Sequence, residues 1–559
     1  MCAVVEVRIT CNLATRSSVL LSRVVLSVPV CTDYDTKGEV GIVRWIEENR
    51  NRLAEKKIPG KQWEFIVYDN LDRPIATGPA FSPFTSPTGN GWLITKYDAF
   101  DRPVITAWMP STVTSASRKA LQDARNAEDT YFSETKIATT TNTTINGIAF
   151  RYTNVAFPTS GYHVLTVSYF DDYNFPNAPA IPGTIEEQTV YYNTTVKPKG
   201  LPTGTWTRVL ETSTLYKNET AYSLYDSKAR PIRSYVKNYL GGYTYVDSKL
   251  DFTGKPEYTI TKHKLLGTST ELTTKEEFVY TDQGRLLTQT NQINGGTKQL
   301  IAKNDYDELG QLISKKVGGT DITGATGLQT VDYTYNVRGW LKQINNPASL
   351  GTDLFGFKIN YNTNEISGSK QLYNGNISET IWKTKNDEAT SSPWIQRAYS
   401  YKFDDLNRIT SADYKVKNMY GVFGSSNYSQ YNLSNITYDR NGNIGTLRRY
   451  TNAGYYPMDV LTYTYDSGNK LLKVDDNGYP TIKDDGFKDG TNTDNDYTYD
   501  TNGNMTSDAN KGITAITYNN LNLPTSVNLP GGTISYIYEA TGVKLEKKWK
   551  EGIKVTRTS

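Results

Sequence analysis

Trp63-Glu-Phe-Ile-Val-Tyr68-Asp69-Asn-Leu-Asp72-Arg73-Pro74 aligns residue for residue with Trp92-Leu-Ile-Thr-Lys-Tyr97-Asp98-Ala-Phe-Asp101-Arg102-Pro103, at an offset of 29. Trp, Tyr, both Asp, Arg and Pro coincide, which marks an internal repeat and not a shared composition. A third close copy is Tyr225-Asp226-Ser-Lys-Ala-Arg-Pro231. The core then recurs with Gly or Asn four residues after the aromatic: Tyr280 with Gly284, Tyr306-Asp307 with Gly310, Tyr335 with Gly339 and Phe403 with Asn407. Tyr438-Asp439 with Gly442, Tyr465-Asp466 with Asn469, Tyr499-Asp500 with Gly503, Tyr518 with Asn522 and Tyr538 with Gly542 continue it. Between closely following copies the spacing runs from 19 residues (499 to 518) to 35 (403 to 438), with wider gaps from 97 to 225, 225 to 280 and 335 to 403, so the loops vary and the turn does not.

Each position has a physical role. Lead-ins such as Asp332-Tyr-Thr-Tyr335 and Asp496-Tyr-Thr-Tyr499 alternate, placing tyrosines two apart on one strand face and Thr on the other. Asp or Asn after the last Tyr can accept hydrogen bonds from turn N–H groups. The Gly or Asn tolerates the positive φ that a tight, bulged hairpin requires. An aliphatic residue two positions further on starts the returning strand. One repeat is therefore strand, turn, strand, and tyrosines of successive units are expected to stack into a ladder.

The composition agrees. The 559 residues include 42 Tyr against 16 Phe and 9 Trp, with 43 Gly, a mixture suited to many short strands joined by tight turns. Basic and acidic residues number 61 and 58, and no basic stripe suggests nucleic acid as a partner. Cys2, Cys11 and Cys31 are odd in number and form no Cys-x-x-Cys pair, so no disulfide framework is expected. With only His163 and His263 besides, a His/Cys zinc site is not expected. No apolar run reaches the 18 residues that would span a membrane. Val19 to Val30 reads as a strand pair in preference to a signal peptide. Both ends of the chain break off within strand-like sequence.

Two segments depart from the repeat. Gly38 to Lys57 places Val40, Val43, Ile46 and Leu53 at near-helical spacing and stops at Pro59-Gly60, and Ser115 to Phe132 is alanine-rich with an N-cap residue available. Both are predicted as short helices. Gly78 to Gly91 and Phe175 to Gly183 are predicted as loops, and Lys197 to Gly204 as a linker. The expected organisation is an N-terminal segment over 1–60, a degenerate repeat region over 61–265 with a helical insertion near 115–132, and a repeat array over 266–559.

Signatures of catalysis are missing: no phosphate-binding Gly-rich loop, no His-Glu-x-x-His and no nucleophile elbow. Ser367-Gly-Ser-Lys370 matches Ser-x-x-Lys without its companion motifs. His163 is expected to be a strand residue and His263 a solvated edge. The acid-rich turns at Asp475-Asp476, Asp484-Asp485 and Asp489 to Asp496 carry oxygen ligands suited to Ca²⁺ without the EF-hand register, and are read as solvated. Trp340, Trp382 and Trp394 are candidate binding rings, read first as padding of the sheet. No cofactor is expected.

Lined up, the repeats resemble the RHS/YD-repeat family, most closely at Tyr280 to Leu286, Tyr306 to Leu312 and Tyr499 to Met505. The resemblance covers Trp63 to the C-terminus and is firm from Phe278 onward. It implies an all-β chain whose hairpins form a spiralling antiparallel sheet, part of a hollow shell. Such shells enclose a C-terminal toxin or act at the cell surface. The family's core segment and its cleavage aspartate have no counterpart here, so the chain reads as shell wall without plug or cargo. The expected function is structural, with an enclosed effector as partner and a secreted or cell-surface location. The alternative is a surface adhesin that recognises carbohydrate or protein; a hydrolase is the third reading.

Overall fold

The protein is described by a computed structural model covering residues 3–6, 27–30, 44–47 and 50–558, apart from 129, 193–196, 389–394, 425–429, 453, 491–493 and 552–553. The three cysteines and Trp394 lie outside the described residues.

Antiparallel pairing joins almost every strand to its neighbour in sequence. The ladder begins with Arg44–Glu47 on Leu53–Lys57 and continues through Trp63–Tyr68, Pro74–Phe81, Asn90–Tyr97 and Pro103–Pro110. It steps to His163–Phe170, then Pro202–Arg208, and runs on hairpin by hairpin to Leu471–Asp476. Two further pieces follow, Tyr497–Tyr499 with Met505–Asp508, and a five-stranded sheet from Ala515–Tyr518 to Lys554–Thr558. The chain is all-β, as the alternation and turn chemistry imply.

Four sequence expectations are corrected. Of the first predicted helix, 38–43 lies outside the described residues, and 44–47 and 53–57 are strands, because the pairing of two short strands overrides the apolar spacing. Asn51 sits between them at φ 57, a left-handed conformation that Asn tolerates and a helix excludes. The second predicted helix is present but ends early, at Ser115–Asn126. Thr114 caps it, its hydroxyl accepting from Ser117 N at 3.1 Å while Ser117 Oγ accepts from Thr114 N at 2.8 Å. Residues 78–81 and 90–91 belong to strands, leaving a loop only between them. Pro202–Arg208 is a strand inside the ladder and no linker. Over 27–30, within the predicted strand pair, Ser27–Val30 pairs with Ala3–Glu6.

Packing divides the sheet into thick and thin parts. Between Trp63 and Tyr225 the helix, the hairpin Thr143–Phe150 and the loops cover one face. Val67, Trp92, Ile94, Ile105, Phe150, Val164 and Tyr169 form the core there. From Pro256 to Ile344 the strands are one layer thick: nearly every side chain is part-exposed on both faces, and Leu300 and Ala302 are the buried apolar residues. The sequence dictates this, since strands such as Leu272-Thr-Thr-Lys-Glu-Glu-Phe-Val-Tyr280 carry polar residues on both faces. Part-exposed ion pairs such as Lys275–Glu277, at 2.9 Å, lie along these strands.

The strip also comes back on itself. Gln62 N donates to Thr501 O at 2.7 Å and its side chain to Asn502 Oδ1 at 2.6 Å. Further along, Leu210 N donates to Tyr538 O and Ala540 N to Arg208 O, both at 2.8 Å. The turns of the last repeats thus rest on the opposite rim of the first strands, a little more than one circuit after the start.

Candidate functional site

The repeated turn has one geometry. Asp98 Oδ1 accepts from Phe100 N at 2.9 Å and Arg102 N at 3.0 Å. The same pair of bonds is made by Asp69, Asp226, Asp439, Asp466 and Asp500 to the residues two and four further on. Asp307 keeps the second of them, from Gln311 N at 2.8 Å. After Tyr280 the cap is Thr281, whose Oγ1 accepts from Arg285 N, and after Tyr335 it is Asn336. A register shift sits at Tyr68, Tyr97, Tyr225, Tyr280, Tyr306, Tyr335, Tyr438, Tyr465 and Tyr499, each paired with the residue six positions on. The left-handed position holds Gly284, Gly310, Gly339, Gly442 and Gly503, at φ 76 to 90.

Asp72, Asp101 and Ala229 occupy that position at φ 61 to 64 in the early copies. Ala229 is exposed and has no polar side chain to compensate, and a left-handed L-residue costs about 1–2 kcal/mol. Ala229→Gly is expected to stabilise the protein by about 1 kcal/mol, allowing for the flexibility glycine adds to the unfolded chain, read as a higher urea midpoint.

The tyrosines of the turns do not stack ring on ring; a ladder of the expected kind forms among Tyr222, Tyr235, Tyr243 and Tyr245 on neighbouring strands. Each turn tyrosine's hydroxyl instead donates to the first carbonyl of the preceding repeat's returning strand. Tyr97 reaches Pro74 O, Tyr306 reaches Leu286 O, Tyr335 reaches Leu312 O, Tyr438 reaches Ile409 O and Tyr499 reaches Leu471 O, at 2.6–2.9 Å. Several of the rings take a cation from that preceding repeat: Arg73 lies over Tyr97 at 4.8 Å, Arg408 over Tyr438 at 4.4 Å and Lys470 over Tyr499 at 5.6 Å. A motif Tyr and the basic residue five positions after the preceding repeat's aromatic are therefore one joint between repeats. Three turns of the same kind escaped the pattern, at Asn238, Asp251 and Asn418. Lys237, Leu250 and Lys417 stand before them in place of Tyr, and the signal common to all three is Asx followed three residues on by Gly.

The other candidates resolve as structural. His163 stacks on Trp108 (centroids 6.0 Å apart) beside Phe84, and burial with nearby Arg208 lowers its pKa. His263 is not at an edge: its strand is paired on both sides, and its Nδ1 meets Thr244 Oγ1 at 2.7 Å. Ser369, in an irregular loop, meets Ser400 Oγ on the strand Arg397–Phe403 through its Oγ. Asp476 is buried, not solvated, its Oδ1 accepting from Val460 N and Gly478 N, and buried Asp496 accepts from Val474 N. Among the described residues no three His, Cys, Asp or Glu converge as a metal site. Trp340 packs on Tyr361 and Trp382 on Tyr399. Among the described residues no helix is long and apolar enough to cross a membrane.

One cleft remains that sequence reasoning missed, because its parts come from five separate segments. It has a volume of about 780 Å³, within the range of ligand sites. The sheet face bearing Trp206, Thr220, Tyr222 and Tyr235 meets the turn at Gly147, the loop Phe175 to Pro179, and the connections at Tyr216 and Asn238. Tyr222 stacks on Tyr235 at 4.6 Å, and Tyr235 continues to Tyr243 and Tyr245. Asn177, Asn218 and Asn238 supply amides and Lys217 and Lys237 cations; no acidic side chain is among the described residues that line it. Such a lining can hold the faces and hydroxyls of a polar ring.

No protein-family model and no curated protein matches the chain. Among solved structures it is similar to the crystal structure of TcdB2-TccC3-Cdc42, at 13% identity and TM-score 0.35, over 92% of this chain and 28% of that one. A Tc holotoxin pore of Photorhabdus luminescens gives 12% identity and TM-score 0.35 over 94% and 30%. A porin-like protein from Bacteroides uniformis gives 13% and TM-score 0.18 over 37% of this chain and 86% of that one. The chain spans less than a third of the length of the two toxin-complex chains.

Proposed function

We propose that this chain is a section of wall in an RHS-type shell, secreted or displayed at the cell surface, that encloses or presents an effector polypeptide and catalyses nothing itself. The observation that carries this reading is the single-layer strip from Pro256 to Ile344, wet on both faces, in a sheet whose ends meet by turn contacts. A sheet ordinarily buries one face against another layer. A wall has no need of that layer, and the joints between repeats hold it in place of a core.

The test compares the two faces of one strand, with Cys2, Cys11 and Cys31 replaced by Ser. Thr274→Cys and Lys275→Cys point to opposite sides of Leu272–Tyr280. A small maleimide is expected to label both, and a bulky polymer-linked maleimide only one. Equal labelling of both by the polymer would remove the enclosure.

The cleft favours a second reading, in which the same strip recognises carbohydrate. Its stacked tyrosines would lie against sugar faces, each aromatic contact contributing about 0.5–1.5 kcal/mol. Tyr235→Ala is then expected to weaken glycan binding about threefold to tenfold on that scale, with the thermal midpoint measured in parallel; a glycan array without any bound sugar would discard the reading.

A further inference from the structure

The thick part of the sheet holds a charged group in a place the pattern reserves for an apolar one. Along Asn90–Tyr97 the core-facing positions are Trp92, Ile94 and Lys96. Lys96 is 1% exposed and Glu134 is 1% exposed. Lys96 Nζ lies 3.0 Å from Glu134 Oε1, 2.6 Å from Asn154 Oδ1 and 3.0 Å from Ala156 O. The Tyr162 ring lies beneath it at 4.9 Å, and the Tyr162 hydroxyl donates to the same Asn154 Oδ1 at 2.6 Å. Removing one ammonium and one carboxylate from water costs more than their attraction ordinarily returns, so stability alone does not explain the pair.

We propose that Lys96 and Asn154 are joined by an intramolecular amide bond, formed spontaneously in the folded chain with Glu134 as the proton-transfer residue. An amine, a carboxamide and an acid held together in an apolar site are what that condensation needs. Burial already lowers the pKa of Lys96, so passing a proton to Glu134 relieves the cost of the buried ammonium. The neutral Nζ then attacks Cγ of Asn154. Negative charge develops on Oδ1, where the Tyr162 hydroxyl stands as a preplaced donor. The Nζ–Cγ bond forms and the Cγ–Nδ2 bond breaks. Nζ gives up a proton, Glu134 supplies one to the leaving nitrogen, and ammonia departs; no electron is gained or lost. Nδ2 faces the exposed Thr159, whose carbonyl accepts from it at 2.7 Å, so the leaving group has a way out. Glu134 is fixed for the task by Thr153 Oγ1, Val155 N and Ala156 N, which donate at 2.7, 3.1 and 3.2 Å. Proximity of this kind replaces a bimolecular encounter by a positioned one.

The bond would tie strand Asn90–Tyr97 to the segment that covers it, closing a loop that contains the helix. The measurement is the mass of the intact, denatured full chain. The expected value is lower than the sequence mass by one ammonia, about 17 Da, with a branched peptide joining Lys96 to Asn154 after proteolysis. Glu134→Gln is expected to restore the full mass. Asn154→Asp keeps the geometry and is expected to lose water in place of ammonia. A wild-type chain at its full sequence mass, with Lys96 and Asn154 recovered in separate linear peptides, overturns the proposal and leaves a buried ion pair. The wild-type measurement is decisive whether or not either variant folds.

Discussion

Asp69→Ala is expected to destabilise the protein by about 4 kcal/mol, whereas Asp439→Ala, the same change in the same turn, costs about 1 kcal/mol. Asp69 Oδ1 accepts from Leu71 N and Arg73 N at 3.0 and 2.9 Å, and its Oδ2 meets the Arg73 guanidinium at 2.7–2.8 Å. Arg73 in turn bonds Asp101 Oδ1 and Phe132 O and lies on Tyr97. Arg73 is 8% exposed, so truncating Asp69 leaves turn amides without their acceptor and a buried cation without its main counter-charge. Breaking a buried pair costs about 3–5 kcal/mol, because the remaining partner cannot rehydrate. Asp439 is exposed, so water replaces its oxygens and only the local cap is lost. Urea unfolding of the two variants decides the matter. Equal losses would show that the turn acts locally and not as a joint between repeats.

That difference between two copies of one motif bounds what the residues could reveal unaided. Turn chemistry was legible because Asp, Gly and the following aliphatic act within seven residues of one another. The role of Tyr was only half legible. Its place on the strand follows from alternation, but its hydroxyl partner is a carbonyl in the preceding repeat, at variable sequence distance. The turns at Asn238, Asp251 and Asn418 show the converse, a turn that forms without the tyrosine because Asx and Gly suffice. Residues 44–57 misled for a physical reason: a hairpin of two short strands can mimic 3.6-residue spacing, and the decisive signal was Asn51 in the turn. The cleft and the Lys96–Glu134–Asn154 cluster could not be seen, since each joins segments tens of residues apart. Only a lysine in the core register of Trp92-Leu-Ile-Thr-Lys96 hinted at the second.

The largest effect of solution conditions is expected on the alkaline side, where the tyrosines that build the fold become its weakness. Burial pushes the phenols of Tyr152, Tyr162 and Tyr169 far above their ordinary value near 10, and all three are no more than 3% exposed. Burial raises the phenols of joint tyrosines such as Tyr97, Tyr225, Tyr465 and Tyr499 as well. Their hydroxyls donate to carbonyls, a bond that a phenolate cannot make. In the unfolded chain every tyrosine ionises near pH 10, while in the folded chain these keep their protons. The folded state then binds more protons than the unfolded one, so stability is fully present below about pH 10 and falls as pH rises through it. One unit above, each fully buried phenol costs about 1.4 kcal/mol, so Tyr152, Tyr162 and Tyr169 together cost about 4 kcal/mol before the joints are counted. This exceeds a third of the stability of many domains. Tyrosinate absorbance and the circular dichroism of the sheet should therefore change together, in one steep step above about pH 10. A gradual tyrosinate rise with an intact sheet spectrum would show that the hydroxyls are free of the carbonyls, and would dissolve the joint on which the wall depends.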